Sequence, residues 1–170
     1  MKSHRIKIGF SSPKGKFVPF SWAIKVFQNW YVASHVYISY TSKSGIPMVY
    51  QSSGRMNNFM ALHKFKEIAI EEIEFELHLD AHEFDLLMWK FDLMAGTPYS
   101  VPQAMGIFIK KLIGWNPFKN GRKASICTET VARILVGRGF DINEVENLTP
   151  KDIFDILSRD SDGNTQKLIR

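Results

Sequence analysis

A single cysteine, Cys127, stands in Ser125-Ile126-Cys127-Thr128-Glu129-Thr130-Val131-Ala132-Arg133-Ile134-Leu135, where an extended run gives way to a helical one. A thiol in the first turn of a helix meets unpaired backbone N–H groups and the positive end of the macrodipole, and both favour thiolate over thiol. Val131, Ala132 and Leu135 carry the packing stripe of that helix, so its first turn has no need of a core residue. Cysteine chemistry requires two further groups: a base within hydrogen-bond reach, and a polar group that fixes the tautomer of the base. His35 is the best base. It opens the strand-like Ser34-His35-Val36-Tyr37-Ile38-Ser39-Tyr40, where small Ser34 leaves room for the ring at the sheet edge. Gln51, in Met48-Val49-Tyr50-Gln51-Ser52, is placed to be the third member if the two strands form a hairpin, its side-chain oxygen accepting the imidazole N–H. Each residue also has an ordinary reading: Cys127 as a small buried hydrophobe, His35 as a half-buried structural histidine, Gln51 as an exposed strand amide. The remaining histidines, His4, His63, His78 and His82, lie near the chain start or among polar neighbours. The spacing of these side chains is not that of metal ligands, so neither metal nor cofactor is expected.

The elements that must position these groups are legible in the hydrophobic pattern. Residues 5–10 alternate, with Ile6, Ile8 and Phe10 on one face, predicting a first strand; Ser11 to Lys16, with Pro13 and Gly15, reads as a turn. Residues 20–30 place Trp22, Ile24, Val26, Phe27 and Trp30 at helical spacing. In residues 34–40, His35, Tyr37 and Ser39 share one face, and Val36, Ile38 and Tyr40 the other. Ser42 to Pro47 is turn chemistry before the Met48–Ser52 strand. A long strand is expected from Lys66 to Leu79, with Ile73, Phe75, Leu77 and Leu79 buried, and Glu72, Glu74, Glu76 and His78 wet. Asp80 and Glu83 form a capping box for a helix through Phe84, Leu87, Met88, Phe91 and Leu93 to Gly96. Pro102 opens a helix through Met105, Phe108, Ile109 and Leu112, and the Cys127 helix is expected to end at Gly137 and Gly139. Thr149-Pro150 opens a last helix running to Leu157. Residues 1–158 therefore read as one α+β domain with an antiparallel sheet, and residues 159–170 as a polar, fraying C-terminal tail.

Composition narrows the function classes. A chain of 170 residues that is 45% hydrophobic and 13% aromatic has the material for one core. Its net charge of +5 is spread along the chain, with short clusters at Lys110-Lys111 and from Lys119 to Lys123. No arginine-rich run or nucleic-acid motif accompanies them, so a nucleic-acid partner is not expected. One cysteine forms no intramolecular disulfide and suits a reducing compartment. The basic N-terminus lacks a following signal-peptide core, and no window reaches the roughly 18 apolar residues of a membrane helix. The expectation is a cytoplasmic protein, of bacterial or bacteriophage type, without a membrane span.

The order histidine first, cysteine later, carries a resemblance. The segments Ile8-Gly9-Phe10-Ser11 with Ser21-Trp22-Ala23-Ile24, Ser34-His35-Val36 with Tyr50-Gln51-Ser52, Gly96-Thr97-Pro98-Tyr99, and Ile126-Cys127-Thr128-Glu129 follow one another along residues 6–136. In this order they resemble a circularly permuted NlpC/P60 protein of the papain-like superfamily, the group that includes the lecithin:retinol acyltransferase-like enzymes. The resemblance implies a permuted papain-like fold and a triad of Cys127, His35 and Gln51. Many relatives carry a glutamate where this chain has Gln51, and a neutral amide orients the ring while stabilising an imidazolium less. Tyr99 and Ser34 are implied to line the substrate pocket. The implied reaction is thiol-dependent hydrolysis of an amide in a peptide or cell-wall-type substrate, through a thioester, with His35 as general base. Two other functions fit the same residues: a lipid-directed thiol acyltransferase or phospholipase, whose apolar rim the Gly114-Trp115-Asn116-Pro117-Phe118 loop could supply although packing of Trp115 and Phe118 onto the core is the expected arrangement, and a binding module that no longer turns over.

Overall fold

The computed structural model describes residues 3–15, 19–28, 31–53, 55–115, 125–136, 140, 145–159 and 165–169. Strand β1 (His4–Pro13) is followed by helix α1 (Pro19–Phe27), strands β2 (His35–Thr41), β3 (Pro47–Ser53) and β4 (Met56–Ala61), and helix α2 (Leu62–Ile68). Then come β5 (Ala69–Leu79), α3 (Ala81–Met94), α4 (Val101–Ile113), α5 (Cys127–Ile134), a 3-10 turn at Val145–Asn147, α6 (Pro150–Arg159) and β6 (Thr165–Ile169). The six strands form one antiparallel sheet in the order β4-β3-β2-β1-β5-β6, so the fold is α+β.

Strand alternation divides the side chains between two faces. Ile6, Ile8 and Phe10 of β1, with Val36, Ile38 and Tyr40 of β2, pack under Phe84, Leu87 and Phe91 of α3, and under α5 and α6. On the other face Tyr37 and Val49 pack against Phe65 of α2 and Ala69. The helix α5 that begins at Cys127 is buried almost all round, with Val131 1% and Ala132 0% exposed, and this fixes its start against the sheet.

Gly9 pairs with Tyr37 across β1 and β2, and a Cβ at Gly9 would lie 2.1 Å from the Tyr37 ring. The absent side chain lets the phenol fold across β1, where its hydroxyl donates to Glu71 (3.2 Å) and Glu74 (3.4 Å). Glu74, expected on the wet face of β5, is therefore only 2% exposed, and Lys7 Nζ neutralises it at 3.0 Å. This burial corrects the simple alternation.

Other differences are local. The capping box at Asp80 forms with both of its hydrogen bonds, the Glu83 N–H donating to Asp80 at 2.8 Å and the Asp80 N–H donating to Glu83 at 2.9 Å. Residues 11–13, expected in a turn, extend β1, and residues 66–68, expected in a strand, close helix α2. Leu62, Phe65 and Ile68 recur at helical spacing, and burial of Phe65 anchors that short helix. Strand β4 has no counterpart in the hydrophobic pattern, since Met56-Asn57-Asn58-Phe59 lacks β-branched residues. In the C-terminal segment, expected as a fraying tail, residues 165–169 pair with β5 as a sixth strand. Trp30, Lys119 to Lys123, Asn116 to Phe118, Gly137 and Gly139 lie outside the described residues.

Candidate active site

The β2–β3 hairpin sets Tyr37 opposite Gln51, so His35, two residues earlier on the same face, is the diagonal neighbour of Gln51. Their side chains meet with His35 Nε2 3.0 Å from Gln51 Oε1. An amide oxygen only accepts, so Nε2 carries the proton and Nδ1 is left with a free lone pair. Gln51 thus holds the ring in the tautomer whose Nδ1 lone pair is free. Burial pushes the His35 pKa down to about 4, and the hydrogen bond to Gln51 pulls it the other way. The ring is neutral at neutral pH.

Cys127 is the first residue of α5. Its N-cap, Ile126, offers no side-chain hydrogen bond, which leaves the first-turn amides to other partners. The thiol lies against the backbone N–H groups of Val36, Thr128 and Cys127 itself. These donors favour the thiolate, yet burial dominates and pushes the pKa up to about 11. The expectation of a thiolate at rest is corrected here: desolvating a sulfur in a residue that is 6% exposed outweighs the three amides. Among the described residues no hydrogen bond joins His35 to Cys127, and the contact between their segments runs through the Val36 amide. The resting pair is a neutral thiol and a neutral imidazole.

Cys127, His35, Gln51, Tyr99 and Ser34 all line one cavity of about 440 Å³. Tyr99 arrives there because it bridges to Ser125, just before Cys127, with the Ser125 N–H donating to Pro98 O at 2.9 Å. Its phenol is held well above its ordinary pKa, first by burial and then by the nearby Cys127, and stays protonated. Ser34 is buried, with its Oγ 2.5 Å from Ser21 Oγ. Ile24, Phe65, Ile68, Ala69 and Val101 make the apolar wall. Apart from His35, no ionisable nitrogen or carboxylate among the described residues faces this space. The contribution of Ile68 is hidden in the sequence because residues 66–68 read as strand, and that of Phe65 because no element is legible there. Among the described residues no three His, Cys, Asp or Glu side chains converge on a metal site. No helix among them is long and apolar enough to cross a membrane.

No family model and no curated protein matches the sequence. Among solved structures, the metalloprotein yiiX from Escherichia coli O157:H7 (DUF1105) is similar in fold, with a TM-score of 0.50, 12% identity, and an alignment covering 99% of this chain and 97% of that one. At that identity the likeness is one of α+β architecture alone.

Proposed function

We propose that the protein is a cysteine hydrolase on a permuted papain-like, NlpC/P60-type fold, cleaving the amide of an uncharged acyl or peptidyl substrate. One observation carries this reading: the Gln51 acceptor fixes the His35 tautomer with Nδ1 free, in the cavity that holds the helix-start thiol of Cys127. In the reaction His35 Nδ1 takes the thiol proton as Sγ attacks the carbonyl carbon. The oxyanion forms beside the Cys127 N–H at the start of α5, where a donor of this kind contributes roughly 3–4 kcal/mol. Collapse breaks the C–N bond, His35 returns its proton to the leaving amine, and a thioester remains on Cys127. A water deprotonated by the same Nδ1 then releases the acid and restores the thiol. Tyr99, protonated, and Ser34 contact the bound substrate. The uncharged wall of Ile24, Phe65, Ile68, Ala69 and Val101 suits an apolar group next to the scissile carbonyl. The yiiX protein is described as a metalloprotein; the steps proposed for this chain run through its own side chains.

A lipid-directed acyltransferase or phospholipase is the second reading. Ile68 and Val101, 52% and 51% exposed, put apolar surface on the cavity wall. Trp115 is also 65% exposed rather than packed on the core, whereas residues 116–118 of its loop lie outside the described residues.

Hydrolysis of octanoyl p-nitroanilide tests the proposal. Turnover is expected in the parent, with a loss of roughly 10³-fold or more in Cys127→Ala and in His35→Ala. Release of fatty acid from phosphatidylcholine vesicles, without anilide cleavage, would favour the lipid reading. Absence of both activities would leave a binding module.

A further inference from the structure

We infer that Asn57 is a positioning residue for the nucleophile, holding the turn that carries Cys127; the inference rests on the hydrolase reading of that site. Asn57 is 1% exposed in β4 and uses both ends of its side-chain amide. Nδ2 donates to Met94 O at the end of α3 (3.1 Å). Oδ1 accepts from Thr130 Oγ1 (3.1 Å) and from Ser125 Oγ (3.4 Å). Ser125 and Thr130 stand two residues before and three residues after Cys127, and their hydroxyls lie 3.1 Å apart. One amide oxygen therefore grips both sides of the nucleophile turn.

The Asn57 backbone extends the same clasp. Its N–H donates to Thr97 O (2.8 Å) and its carbonyl accepts from the Gly96 N–H (2.9 Å). The segment so held passes to Tyr99, whose N–H donates to Arg55 O (2.8 Å), and the Ser100 N–H donates to Ser125 O (3.0 Å). Asn57 thus ties β4, the end of α3, the Tyr99 segment and the start of α5 into one buried polar unit. Ile126 provides no side-chain cap for α5, so the aim of the Cys127 N–H is set by these neighbours rather than by a cap. Only a group with a donor and an acceptor at fixed separation satisfies both sides; a carboxylate in its place would face the Met94 carbonyl with no proton to offer.

The inference predicts a particular loss. Acylation of Cys127 builds an oxyanion and depends on where the helix-start N–H points, whereas alkylation by iodoacetamide builds none. Two variants probe this, Asn57→Asp and the near-isosteric Thr130→Val, the latter leaving Asn57 intact in case the first does not fold. With p-nitrophenyl butyrate as acyl donor, the acylation rate is expected to fall about 10- to 100-fold in each. Alkylation of Cys127 should stay within about two-fold of the parent. Unchanged acylation in Thr130→Val, or acylation and alkylation falling together in the folded variants, would overturn the positioning role. A parent that is alkylated but never acylated would instead overturn the hydrolase reading, and the inference with it.

Discussion

At the scale of single residues, the chemistry of the site turns on how Gln51 and burial divide control of His35. Gln51 fixes the tautomer at 3.0 Å, and burial holds the ring neutral with a pKa of about 4. Replacing Gln51 by Glu places a carboxylate beside Nε2–H, which favours the imidazolium and raises the His35 pKa. The acid limb of kcat/KM, set by deprotonation of His35, is then expected to move to higher pH in Gln51→Glu, read from a pH–rate profile. An unmoved limb would show that Gln51 does not govern the base. The amino-acid pattern alone makes this pair legible, because strand alternation and hairpin pairing put positions 35 and 51 on one face. The state of the thiol is not legible in that way. Helix-end electrostatics argue for a thiolate, and only the three-dimensional enclosure of Cys127 reveals that desolvation prevails. Asn57 is equally silent in the sequence, since an asparagine in a strand reads as surface until its partners from α3 and α5 are known.

Elements show the same division between local and non-local information. Helix α3 begins at the expected capping box because its cap is encoded within four residues. Helix α2 and strand β4 leave little trace because neither holds a strong local pattern: one is 7 residues long, and the other begins Met-Asn-Asn. Their stability comes from packing Phe65 against Tyr37, with ring centroids 4.5 Å apart, and from pairing with β3. The Gly9–Tyr37 crossing is a tight constraint on the sheet. Gly9→Ala is expected to destabilise the fold by about 1–3 kcal/mol, because the added methyl must displace a buried ring that shares hydrogen bonds with Glu71 and Glu74. Urea denaturation measures this, and an unchanged midpoint would mean that Tyr37 moves aside freely.

For the whole molecule, folding is linked to protonation of the same histidine. The folded pKa of His35 lies below its ordinary value of 6.5, so the unfolded chain binds the proton more readily. The contribution of His35 to stability is therefore present above pH 6.5 and is lost as pH falls through 6.5 toward 4. It amounts to at most on the order of 3 kcal/mol. The parent is expected to lose that stability over this range, and His35→Gln to lose less of it, by urea midpoints measured at pH 7 and pH 4. Equal losses in the two proteins would place the acid sensitivity elsewhere. The antiparallel α+β plan is legible in the residue pattern because each central strand alternates cleanly. Strand order and the pairing of residues 165–169 with β5 are not, since alternation marks a strand without naming its partner.

The central claim is that Cys127 attacks a carbonyl with His35 as its base. Intact-protein mass spectrometry after mixing with p-nitrophenyl octanoate measures this most directly. The account predicts an adduct of one octanoyl group, mapped to Cys127, absent in Cys127→Ala and formed roughly 100-fold or more slowly in His35→Ala. A parent that stays unmodified, or that acylates equally fast without the histidine, would contradict it.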